Sequence, residues 1–92
     1  MSYELIFKKQ AQKDIDFYKK SGNQILLKKL FQLLGEIQEN PYFGTGKPER
    51  LKFQESNIWS RRIDSKNRLV YSVEENIVAV EISSAKGHYG DK

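Results

Sequence analysis

Three short runs rich in β-branched and aromatic residues follow one another along this chain: IWSRRI (58–63), RLVYSV (68–73) and IVAVEI (77–82). Only the polar turns DSKN and EEN separate them. Links that short cannot carry a crossover, so consecutive strands must lie antiparallel. A fourth run, residues 49–53, precedes them across the polar turn QESN. The pattern predicts an antiparallel meander. Alternation then assigns faces. Leu69, Tyr71 and Val73 share the core side of their strand, and Arg68, Val70 and Ser72 share the outer side. On the neighbouring strand Trp59, Arg61 and Ile63 face one way and Ile58, Ser60 and Arg62 the other. If the intervening loop has an odd number of residues, Arg62 joins Arg68 on the outer face.

The first half reads differently. Residues 3–7 alternate as a short strand, with Tyr3, Leu5 and Phe7 on one side. The period then changes to that of a helix, with Ala11, Ile15 and Tyr18 on one stripe. Lys19 and Lys20 suit the negative end of a helix dipole, and Gly22 suits the left-handed position just past it. Asn23 is an expected N-cap for a second helix. There Leu26, Leu30, Leu33 and Ile37 form a core stripe, flanked by Leu27, Phe31 and Leu34. That helix must stop before Asn40-Pro41. PYFGTGKP (41–48) is a loop without phosphate-loop spacing, since Lys47 precedes a proline and not a helix. The expected architecture is α+β in the order β-α-α-β-β-β-β. A helical hairpin covers one face of a mostly antiparallel sheet, and the other face is at least partly open.

Ninety-two residues make a single domain, 1–92, with one thin core. With no cysteine and one histidine, disulfide and thiolate-metal chemistry are excluded, and a catalytic zinc would need carboxylates for nearly all its ligands. No metal or cofactor is expected. There is no run of membrane-spanning length and no basic-then-apolar leader, which leads to the expectation of a soluble cytoplasmic protein. The net charge of +4 favours polyanionic partners, nucleic acid above all, although small basic domains of other kinds share that balance.

The chemistry-bearing residues are few. His88 lies just past the last strand in the tail AKGHYGDK, next to Tyr89. One histidine is ordinarily structural, and Glu49 alone would be a surface carboxylate. Together they become specific. Cleavage of RNA by its own 2′-hydroxyl needs a base, an acid and cations for the developing phosphorane charge. Glu49, His88, Arg68 and Arg62 meet those needs on neighbouring strands. Lys52 adds charge, and Tyr89 offers a face on which a splayed base can stack.

GKPERLKFQESNIWSRRIDSKNRLVYSV followed by AKGHYG resembles the YoeB/Txe toxins of bacterial toxin–antitoxin pairs, within the RelE-like superfamily. The specific pieces are GKPE-x-LK, WSRRI, RLVY and the terminal HY. The likeness is close over residues 41–90 and loose over the helices. It implies the small RelE-like fold and cleavage of messenger RNA in the ribosomal A site, without a metal. It casts Glu49 as general base, Arg68 as the phosphate cation, His88 as general acid and Tyr89 as its catalytic neighbour. Lys52 and Arg62 become supporting RNA-binding positions. The implied partners are the ribosome, a cognate antitoxin, operator DNA through the antitoxin complex, and a second copy in a homodimer. The alternative is a catalytically inactive basic partner that acts only with an antitoxin on operator DNA. Residues 90–92 run past the tyrosine that closes the family pattern, and Trp59 is the only tryptophan, where the family carries one early in the chain.

Overall fold

The computed structural model describes residues 2–51 and 56–87. Lys52, His88 and Tyr89 lie outside those residues. The elements are β1 (Glu4–Phe7), α1 (Lys9–Ser21), α2 (Gln24–Glu39), β2 (Glu49–Arg50), β3 (Ile58–Arg62), β4 (Arg68–Glu74), a 3₁₀ turn (Glu75–Ile77) and β5 (Ala79–Ser84). They form one five-stranded sheet in the order β1-β5-β4-β3-β2. β2 through β5 make the expected meander, and β1 joins it separately, parallel to β5. Among the described residues no helix is long and apolar enough to cross a membrane.

The helix boundaries follow from their caps. Gly22 takes φ +73° and returns its N–H to the Lys19 carbonyl. The Asn23 side chain then accepts from the Leu26 N–H at 3.1 Å and starts α2. The stripe Leu26, Leu30, Leu33 and Ile37 is buried with Ile15 and Tyr18 of α1, and meets Leu69, Tyr71, Val73, Val80 and Ile82 from the sheet. Each such buried side chain contributes roughly 1.5–3 kcal/mol, so this interface is the main stabilising layer.

The strand limits depart from the sequence reading in two places. β2 is described over Glu49–Arg50, with Leu51 N–H still donating to the Ile58 carbonyl at 2.8 Å; residues 52 and 53 lie outside the described residues. β5 runs Ala79–Ser84 where 77–82 is expected. Ile77 closes the 3₁₀ turn and Val78 takes φ +51°, so the first two apolar residues of IVAVEI belong to the turn. The strand instead continues through two serines. Between Val70 and Tyr71 the register skips a residue on β5: Tyr71 faces Ile82 but Val70 faces Ser84. Such a bulge reverses which face the following residues present.

Candidate functional site

Arg62 and Arg68 are direct cross-strand partners. The loop between them, residues 63–67, is odd in length, so both side chains stand on the sheet face away from the helices. Opposed residues on one face have Cβ atoms about 4.5–5.5 Å apart, and like charges there repel. Glu49 is the cross-strand partner of Ser60, two residues before Arg62, and shares their face. The diagonal to Arg62 is about 7–8 Å, within reach of long side chains. Glu49 and Arg62 are exposed and Arg68 is half-buried. The face is not bare: Ser60, Val70 and Ser72 on it are buried, and the Ser60 hydroxyl makes no hydrogen bond among the described residues. His88 lies outside the described residues, and Gly87 just before it lies within them. The Gly87 carbonyl accepts from the Arg68 N–H at 2.9 Å, and the Gly87 N–H donates to Asn67 Oδ1 at 2.9 Å. Both arginines therefore sit beside the strand end from which the tail departs.

The loop that delivers Glu49 is built around a residue whose role the sequence reading missed. Arg61 is 0% exposed and lies among the helices and the loop. Its Nε donates to the Tyr71 hydroxyl (3.1 Å), Nη1 to Glu36 Oε1 (3.1 Å) and the Thr45 carbonyl (3.3 Å), and Nη2 to the Asn40 and Phe43 carbonyls (2.9 and 2.7 Å). Glu36 answers from α2: its carboxylate accepts from the Thr45 N–H (2.7 Å) and hydroxyl (2.9 Å). The Thr45 N–H, helped by Gln32, the Thr45 hydroxyl and Arg61, holds the Glu36 carboxyl below the usual carboxylate range against its partial burial. The Tyr71 hydroxyl then donates to the Pro41 carbonyl at 2.7 Å. The available signal was the alternation itself, which puts Arg61 on the same side as Ile63 and opposite Leu69.

This arrangement also explains the loop glycines. Gly46 has φ +87°, and a Cβ there would lie 2.8 Å from the Arg62 carbonyl oxygen. Gly46→Ala therefore destabilises the fold by about 1–3 kcal/mol in urea unfolding. Gly35→Ala, within α2 where nothing lies within 4 Å, stabilises it by up to about 1 kcal/mol.

At the opposite end of the sheet Trp59 Nε1 donates to Asn57 Oδ1 at 2.8 Å and Asn57 Nδ2 donates to the Tyr42 hydroxyl at 3.1 Å. Tyr42 and Tyr3 both donate to the Glu75 carboxylate. This network ties β1 and the loop to β3 and lies away from the arginine pair.

The fold is shared with solved structures of known toxins. The solved archaeal RelE–RelB complex from Pyrococcus horikoshii shares the fold, with a TM-score of 0.76 at 16% identity. The YoeB dimer from Staphylococcus aureus is 34% identical with a TM-score of 0.83, covering 97% of this chain and 100% of that one. The YoeB–YefM complex from the same organism is 37% identical with a TM-score of 0.78 and the same coverage. Toxin YoeB of Escherichia coli K12 is 34% identical over 86 residues, 94% of this chain and 99% of the relative. The family model for the YoeB-like toxin of bacterial type II toxin–antitoxin systems matches residues 7–89. With the strand order, the glutamate-led β2 and the arginine pair in place, the chain belongs to the YoeB-like toxins of bacterial type II toxin–antitoxin systems.

Proposed function

We propose that this toxin is a ribosome-dependent endoribonuclease that cuts messenger RNA in the A site and so arrests translation. One observation carries the reading: Glu49 and the Arg62–Arg68 pair share the sheet face away from the helices, beside the strand end that leads to His88. In the reaction Glu49 takes the proton of the 2′-hydroxyl, whose oxygen attacks the adjacent phosphorus. Arg68 neutralises the non-bridging oxygens as charge grows there. His88 gives its proton to the departing 5′-oxygen, leaving a 2′,3′-cyclic phosphate and a 5′-hydroxyl end. Every proton and bond is accounted for without a metal or cofactor. Arg62 and Lys52 hold flanking phosphates, and Tyr89 stacks on a base next to the break.

The S. aureus relatives, one solved as a dimer and one with YefM, support a second copy of this chain and a cognate antitoxin as its partners. Operator DNA is then reached through the antitoxin, and the toxin acts in the cytoplasm where translation occurs. Expression of the wild-type chain is expected to arrest growth and to create new mRNA 5′ ends at a fixed position within codons. Glu49→Ala/His88→Ala is expected to do neither. Arrest by the double variant equal to wild type overturns the nuclease reading, and arrest without new 5′ ends leaves the operator-binding alternative.

A further inference from the structure

The sheet ladder of β5 ends at Ser84, yet each of the next three residues is held by a contact to another element. Ala85 is 0% exposed, and both of its backbone polar groups are taken by side chains of α1. Its N–H donates to Asp14 Oδ2 at 2.8 Å, and its carbonyl accepts from the Tyr18 hydroxyl at 2.6 Å. The Lys86 ammonium sits 3.8 Å from the centre of the Phe17 ring, again on α1. Gly87 is held by Asn67 and Arg68 from the β3–β4 hairpin, as described above. Chain ends beyond the last strand pairing ordinarily fray unless something ties them down.

Two features go beyond what stability requires. The β5 bulge is what turns Ala85 toward α1, since regular alternation from the core-facing Ile82 would turn it away. Asp14 is only 4% exposed, and its other oxygen accepts from Gln10 Nε2 at 2.9 Å. Burying a carboxylate is costly unless its partners are fixed, and an apolar residue would fill that place as well for packing alone. What the carboxylate and the phenol supply is a defined backbone position and direction, because they grip the N–H and the carbonyl of a single residue. Burial, with Asp64 and Asp14 nearby, pushes the Tyr18 phenol up to about 12, so it keeps its proton and remains a donor.

We propose that Asp14 and Tyr18 are positioning residues of the nuclease site, which clamp Ala85 and with it the chain that leads, three residues on, to His88. The inference rests on the nuclease reading with His88 as a reacting group. α1 then has two duties, covering the sheet and holding the tail in register with Arg68.

The test is single-turnover cleavage of mRNA on programmed ribosomes by full-length variants, with toxin concentration varied to separate the maximal rate from half-saturation. Tyr18→Phe removes one hydroxyl and keeps the ring. It is expected to lower the maximal rate about 10-fold or more with half-saturation unchanged, in line with the sensitivity of catalysis to sub-ångström misplacement. Asp14→Ala behaves likewise, and Asp14→Asn, which still offers an oxygen to the Ala85 N–H, recovers most of the rate. On a His88→Ala background Tyr18→Phe is expected to have no further effect, because there is no longer an acid to aim. If His88→Ala leaves the rate at the wild-type value, the nuclease assignment fails. If His88→Ala lowers the rate but Tyr18→Phe and Asp14→Ala do not, the positioning role fails. Equal losses from Tyr18→Phe with and without His88 also overturn it, since they mark a general effect on the fold. Should Asp14→Ala not fold, Tyr18→Phe decides the question alone.

Discussion

Glu49→Ala and His88→Ala are each expected to lower the single-turnover rate of mRNA cleavage by about 10²- to 10⁴-fold, the usual worth of a positioned general base or acid. On the proposed nuclease mechanism Arg68→Ala is expected to cost about 10²- to 10³-fold, because it would remove a cation from the place where phosphorane charge develops. Arg68→Lys recovers only part of that. Arg68 is half-buried and its backbone is fixed to Gly87, so its reach is set, and an ammonium lacks the planar fork that meets two phosphate oxygens at once. The rate should trace a bell against pH, since one group must be ionised to take a proton while the other must still hold one to give. Quench-flow cleavage on programmed ribosomes measures all of these. A flat pH profile, or a double variant Glu49→Ala/His88→Ala within a few-fold of wild type, sinks the assignment. Exchange of the acid and base roles between the two would leave the rate losses intact and show instead in how each variant reshapes the limbs of the profile.

The outer face was legible from the sequence because strand alternation is strict. Once the 63–67 loop proved odd, Arg62 and Arg68 had to share a face. The helices were legible through Gly22 and Asn23, whose caps are local chemistry. What was not legible depends on contacts distant in sequence. Ile77 and Val78 look like strand, but their place in the 3₁₀ turn follows from the tight reversal between β4 and β5, and the extension through Ser83 and Ser84 follows from the bulge and from the grip of α1 on Ala85. Asp14 does not stand out in the sequence, because nothing local shows that a backbone N–H 71 residues away will need an acceptor. The role of Arg61 was not legible for the same reason. Its neighbour Arg62 has the same side chain and differs only in the face it presents, and that face becomes meaningful once the loop of residues 41–46 is folded over it.

That contrast gives the largest expected effect on stability. Arg61→Met is expected to cost about 3–5 kcal/mol, the summed effect of leaving several part-buried acceptors without a donor at about 1–3 kcal/mol each. A methionine fills much of the space, so the loss is not mainly a cavity. It comes from the Asn40, Phe43 and Thr45 carbonyls, the Tyr71 hydroxyl and Glu36, which all lose a donor at once. For a chain of this length the melting temperature should drop by well over 10 °C, where Arg62→Met, exposed on the other face, moves it by a degree or two. Acid should reproduce part of this loss through Glu36. Its carboxyl is held below the usual range in the folded state, first by the Thr45 N–H, so its contribution is complete above the unfolded value of about 4.3 and is lost as pH falls through the folded value. Glu36→Gln should therefore be less stable than wild type at neutral pH, and the gap should narrow steadily below about pH 4. Urea unfolding of the two proteins between pH 3 and pH 7 decides the matter. A gap that stays constant across that range would mean that the Glu36 charge adds nothing to the hold on the loop, and that Arg61 keeps residues 41–46 in place through the carbonyls alone.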